Sequence, residues 1–293
     1  MTSTIPGFKV FLVGESGNGK THVTRTLLGT GIQPFLLALE PGMRSLAPCD
    51  TPSCLVCKDT RDEPAIPWAY IPPCSDLDTL VTQARDINTK DLKALCNMPT
   101  GDRRKYNQYG QMLELLRDFK DSTGKSWGNV GTWNTDRCLV LDGLSSLNTM
   151  AVDMFVGRRP ALDKPDYGIG QKAILSLVTL LTCQFHCHFV LIAHPERGQD
   201  EVGLSKITAN ALGRALAPEL PRLFDDMPFA DRQGTKFTWD TAAPGRVSKC
   251  RNLPLQSGML PSYRPIVASW LKAGGRMEPT ILQQNPPNPG ASK

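Results

Sequence analysis

Gly14-Glu15-Ser16-Gly17-Asn18-Gly19-Lys20-Thr21 fits the pattern GxxxxGK[ST] at every fixed position. These residue types at this spacing suit one task, holding the phosphates of a nucleoside triphosphate. Glycine lets the backbone come close enough to an anion for successive N–H groups to wrap it, and a helix starting at the end of the loop adds the positive pole of its dipole. Lys20 is expected on the β- and γ-phosphates and the Thr21 hydroxyl on Mg²⁺. The alternative is a glycine-rich turn that fits by coincidence. An apolar run from Lys9 to Val13 and helical spacing from Thr21 to Leu28 argue against it, because they put the glycines at a strand-to-helix turn.

Three more polar residues each follow an apolar run directly: Glu40 after Pro34 to Leu39, Asp142 after Cys138 to Leu141, and His194 after Cys187 to Ala193. Buried parallel strands read as continuous apolar runs, and the carboxyl ends of such strands face the ligand. All three residues are therefore expected on the rim that carries the phosphate loop. Glu40 there can orient and activate the water that attacks a γ-phosphate, the alternative being a loop or capping carboxylate. Asp142 is expected on the metal side opposite Thr21, the alternative being a strand-end cap. His194 is either a sensor of the γ-phosphate or a structural histidine.

A second kind of chemistry is offered by Cys49, Cys54, Cys57 and Cys74, in a stretch rich in Pro, Asp and Thr. One pair has the x2 spacing of zinc ligands, and four thiols can close a tetrahedral structural Zn²⁺ site; the alternative is unmetallated thiols in a loop. Arg103, Arg104, Lys105, Tyr106 and Tyr109 form a basic and aromatic patch, either a nucleic-acid contact or a solvated loop.

The elements that position these residues are those of a soluble α/β chain. With 293 residues, 40% hydrophobic and 21% charged, one large domain is expected over residues 1–275, interrupted by the cysteine-bearing insertion at about 47–75 and followed by a disordered tail at 276–293. Strands are expected at 68–71, 224–230, 235–241 and 246–250, and helices at 76–87, 110–119, 171–183 and 207–216. No apolar run approaches the roughly 20 residues of a membrane span, and the first residues lack a basic and apolar signal region, so a cytoplasmic location and no membrane partner are expected. The formal charge is +5, and the whole excess falls after residue 150, which suits a polyanionic partner.

In this order, a phosphate loop, Glu40, an Asp142 strand, a His194-Pro195-Glu196 strand end and late strands after residue 224, the chain resembles the core of the RecA and RadA recombinases. It is closer still to the phage-encoded RecA-like ATPases grouped as phage nucleotide-binding proteins, of single-strand annealing type. The resemblance spans about 8–270. It implies a mostly parallel central sheet with helices on both faces and antiparallel strands added near the C-terminus. It implies an ATPase that uses Mg²⁺ and binds single-stranded DNA as a homo-oligomer in phage recombination, in the host cytoplasm, alongside a single-stranded DNA-binding protein. Glu40 then resembles the catalytic glutamate, Asp142 the metal-side aspartate and His194 the sensor. Lys249 and Arg251 resemble a Lys-x-Lys pair that reaches a neighbour's γ-phosphate across a subunit interface; the alternative is a pair of surface cations. Two loops, 157–170 and 197–206, would line the DNA channel, making Arg158, Arg159, Lys164, Arg197 and Lys206 phosphate contacts. Little sequence precedes the first strand, so the oligomerisation segment of the long recombinases is expected to be missing. Other functions compatible with the loop are an ATP switch such as a helicase loader and a nucleotide kinase, which would need an arginine-rich lid.

Overall fold

A computed structural model describes residues 5–49, 51, 54–72, 77–86, 92–97, 106–157, 159, 161–199 and 203–281. The centre is a seven-stranded sheet built from β1 (Lys9–Gly14), β2 (Gln33–Ala38), β3 (Trp68–Tyr70), β4 (Arg137–Asp142), β5 (His188–Ala193), β8 (Phe229–Gln233) and β9 (Lys236–Asp240). Its order is β3-β2-β4-β5-β1-β8-β9, and every pairing is parallel except β8 with β9. A separate two-stranded antiparallel ribbon, β6 (Pro195–Gln199) with β7 (Ser205–Ala209), leaves the end of β5.

The central strands read as unbroken apolar runs because both of their faces are covered. Successive side chains alternate between two cores. Phe11, Val13, Phe35, Leu37, Leu139 and Leu141 pack on one side with α3 (Gln108–Arg117), α4 (Leu144–Val156) and α5 (Lys164–Cys183). Val10, Leu12, Leu36, Ala38, Cys138 and Val140 pack on the other with the 3-10 helix His22–Thr30 and with α7 (Arg264–Lys272). Short helices α1 (Leu77–Asp86), α2 (Leu92–Cys96) and α6 (Gly213–Glu219) complete the set.

Several expectations are corrected. The helix after the phosphate loop is wound as a 3-10 helix; Val23, Thr24 and Thr26 are β-branched, and the Thr26 and Thr30 hydroxyls donate to carbonyls three residues back. α5 begins at Lys164, not at 171, because Asp163 and Asp166 form a reciprocal capping box and proline occupies the first turn. The segment expected as a helix at 207–216 starts as strand β7, and its helix runs over Gly213–Glu219. The first of the late strands, β8, joins parallel to β1, and 246–250 contributes only isolated bridges. Residues 276–281 belong to the folded body: the Thr135 hydroxyl donates to the Arg276 carbonyl and accepts from the Glu278 amide, and Asp136 N donates to Glu278 O.

Candidate functional site

The register brings the strand ends to a common rim. Val13 pairs with Ala193, Asp142 pairs with both Ala38 and Ile192, and Gly14 pairs with Ala230. The phosphate loop therefore leaves the sheet beside β5, whose last residue is followed by His194. The loop is braced from β8. Asn18 Nδ2 donates to Ala230 O at 2.8 Å, and a Cβ on Gly14 would come within 2.6 Å of the same carbonyl, so the glycine at the start of the motif is required by close backbone packing. Gly17 and Gly19 have φ of 80° and 75°, in the left-handed region. The Phe237 ring on β9 lies against Gly19.

Lys20 is buried and turned back along the loop, with Nζ donating to Gly14 O at 2.7 Å and to Glu15 O at 2.9 Å. Burial lowers its pKa, opposed by the nearby carboxylates of Asp142, Glu40 and Glu15. The Thr21 hydroxyl donates to Asp142 Oδ2 at 2.5 Å. Burial raises the Asp142 pKa, and the Thr21 hydrogen bond offsets only part of this. A hydroxyl and a carboxylate in contact beside a lysine form a pair of oxygen donors of the kind a hard cation takes.

Glu40 lies across from them with both carboxylate oxygens engaged. Oε2 is 3.1 Å from His194 Nε2, and Oε1 accepts a long hydrogen bond of 3.4 Å from Ser146 at the start of α4. Gly143, between Asp142 and α4, has φ of 121°, and a Cβ there would lie 2.9 Å from Glu40 Cγ. Both Glu40 and His194 remain partly open to solvent. Residues from the ends of β1, β2, β4 and β5 thus form one cluster, as expected from the sequence. The bracing contacts of Ser146, Asn18 and Phe237 were not expected: Asn18 was read as part of the phosphate loop, but its side-chain bond to β8, like the contacts of Ser146 and Phe237, arises from tertiary proximity.

The candidate DNA contacts are divided. Arg197 on β6 and Lys206 on β7 are exposed, and Arg197 pairs with Glu15 of the phosphate loop at 3.3 Å. Lys164 is exposed at the first position of α5. Arg159 is turned inward, bonded to Cys96 O and paired with Asp166 at 2.6 Å. Arg158, Arg103, Arg104 and Lys105 lie outside the described residues. Tyr106 and Tyr109 are buried, Tyr109 donating to Ala173 O, so neither ring is free to stack on a base. Lys249 and Arg251 sit at the far end of β1 from the loop: Lys249 bridges to Met227, and Arg251 pairs with Asp225, whose amide donates to Lys9 O.

A second cluster lies beside the loop. His22, next to Thr21, meets Cys49, Cys54 and Cys57, and the four ligand atoms all fall within 4.8 Å of one another. This set is compatible with a structural zinc, with His22 in the place expected for Cys74, which lies outside the described residues. Cys57 is buried, and burial pushes its thiol up to about 11. No sequence signal links a histidine at the end of the phosphate motif to cysteines some 30 residues later.

No known protein family and no curated protein matches this sequence. Among the described residues no helix is long and apolar enough to cross a membrane.

Proposed function

We propose that this chain is a RecA-like ATPase acting on single-stranded DNA. The observation that carries the reading is the Glu40–His194 contact at 3.1 Å, on the same rim as Lys20, Thr21 and Asp142. A carboxylate held beside a phosphate-binding loop is placed to orient a water for in-line attack. A histidine bonded to that carboxylate, and leading directly into a two-stranded ribbon, connects the reacting end of the site to a surface.

Lys20 exchanges the Gly14 and Glu15 carbonyls for phosphate oxygens when ATP binds, while Asn18 keeps the loop fixed to β8. Thr21 and Asp142 would hold magnesium, which when bound neutralises phosphate charge. Glu40, oriented by Ser146 and His194, accepts the proton of the attacking water. His194 passes the state of the site to β6 and β7, since Asn210 at the end of the ribbon donates its amide to His194 O at 2.8 Å. Arg197 adds a second link by its pairing with Glu15. The exposed Arg197 and Lys206 are the cations we assign to the DNA backbone. Lys249 and Arg251 are remote from Lys20 in their own chain, so any phosphate contact from them is made to a neighbouring subunit of a homo-oligomer.

The test is ATP turnover with and without single-stranded DNA at two salt concentrations, for the wild type and Glu40→Gln. We expect DNA to stimulate turnover less at the higher salt, and Glu40→Gln to reduce it by about 10²–10⁴-fold with little change in ATP affinity. Turnover that is indifferent to DNA would leave a nucleotide switch of another kind. Undiminished turnover in Glu40→Gln would remove the hydrolytic role.

A further inference from the structure

We propose that His22, Cys49, Cys54 and Cys57 form a Zn²⁺ site that fastens the 43–63 segment to the helix leaving the phosphate loop. Tetrahedral zinc holds sulfur at about 2.3 Å and nitrogen at about 2.0–2.1 Å, so its ligand atoms stand roughly 3.5–3.8 Å apart. Cys54 Sγ is 3.6 Å from His22 Nε2 and Cys57 Sγ is 3.3 Å from it, already near that spacing.

The histidine presents the right atom. Its Nδ1 is 2.8 Å from Ser45 O, and a carbonyl only accepts, so Nδ1 carries the proton and Nε2 keeps a lone pair facing the thiols. Cys49 N donates to Cys57 Sγ at 3.3 Å, which holds that sulfur within the cluster. Three sulfurs and one imidazole are a soft donor set that selects zinc over magnesium or calcium. Among the described residues no other His, Cys, Asp and Glu group converges in this way.

The segment also has the structural need such a site serves. Between the 3-10 helix Met43–Leu46 and β3 its described residues form turns, bends and irregular chain, and among them Leu46, Cys57 and Ile66 are the buried apolar ones. Among the described residues, two arginines also tie it to the body. Arg25 donates to Leu46 O at 2.8 Å and to Thr60 O, and Arg264 pairs with Asp59 at 2.5 Å. His22 and Arg25 stand one turn apart on the same helix, so metal and guanidinium would clamp the segment at neighbouring points.

The experiment is metal analysis of the full chain, expressed with zinc and dialysed against metal-free buffer. We expect about one equivalent in the wild type and in Cys183→Ser, whose thiol is exposed and outside the cluster, and loss of zinc in His22→Ala and Cys57→Ser. Because those variants can fail to fold, stripped wild-type protein is also titrated with Co²⁺. Intense visible absorption of a tetrahedral, thiolate-rich site, bleached by equimolar Zn²⁺, is expected. Metal-free protein with a featureless Co²⁺ spectrum overturns the proposal. Zinc that survives His22→Ala but is lost in Cys74→Ser overturns it in favour of four thiols.

Discussion

Nε2 of His194 lies 3.1 Å from Oε2 of Glu40, joining the end of β5 to the loop after β2 across the strand that ends in Asp142. The pair sets a carboxylate and an imidazole together on the rim that carries the GxxxxGK[ST] loop. If His194 positions the carboxylate, His194→Ala should lower kcat by about 10-fold at nearly constant KM, and His194→Gln, which keeps a donor, should recover part of it. Steady-state turnover of both variants, with and without DNA, checks this. Equal losses in both would reduce His194 to a packing residue.

Gly143 offers an independent handle on Glu40. A methyl group there meets Glu40 Cγ at 2.9 Å and forces φ of 121° on a residue with a side chain. Gly143→Ala should therefore displace the carboxylate and cost about 1–3 kcal/mol of stability. Turnover should fall while nucleotide binding persists, read by fluorescent-nucleotide titration beside thermal melting.

Asp142 is a buried carboxylate in contact with the Thr21 hydroxyl. Its pKa is raised by burial, so the stability it contributes is present while it is protonated and is lost as pH rises through the folded value. At neutral pH the buried charge is a cost. Asp142→Asn, measured without Mg²⁺, should be more stable than the wild type by roughly 1 kcal/mol at pH 7. The difference should shrink as the pH falls toward the ordinary carboxylate range, and hydrolysis should be lost. Denaturant titrations at two pH values decide it, and a variant less stable at pH 7 would contradict the burial argument.

Because His22 is bonded in sequence to Thr21, a zinc ion held by His22 would brace the end of the phosphate loop. Removing the metal should weaken ATP binding by about 10-fold, and by reciprocity ATP should tighten zinc binding by the same factor. Calorimetric titration of ATP into zinc-loaded and stripped protein measures the coupling. Identical affinities would show that the 43–63 segment is an independent attachment.

The phosphate loop, the β1, β2, β4 and β5 strands and their polar ends Glu40, Asp142 and His194 were legible in the sequence. A strand buried on both faces has to be apolar throughout, so the first polar residue marks where it reaches the rim. The start of α5 was also written locally, in Asp163 and Asp166, but the proline and glycines around it read as loop. The ribbon of β6 and β7 was not legible, since its residues are polar and glycine-containing and only their pairing makes them strands. The same holds for β8: nothing in Phe229 to Gln233 indicates that it runs parallel to β1 and closes on Gly14.

What the sequence determined by itself is the chemistry each residue can do, because side-chain type and local spacing are properties of neighbours along the chain. What only the tertiary structure decided is which of those residues meet. β5 lies between β1 and β4, and this order sets His194 against Glu40; no local pattern encodes strand order. The 3-10 helix after the loop turns His22 toward Cys49, Cys54 and Cys57, a convergence across some 30 residues that depends on the path of the intervening chain.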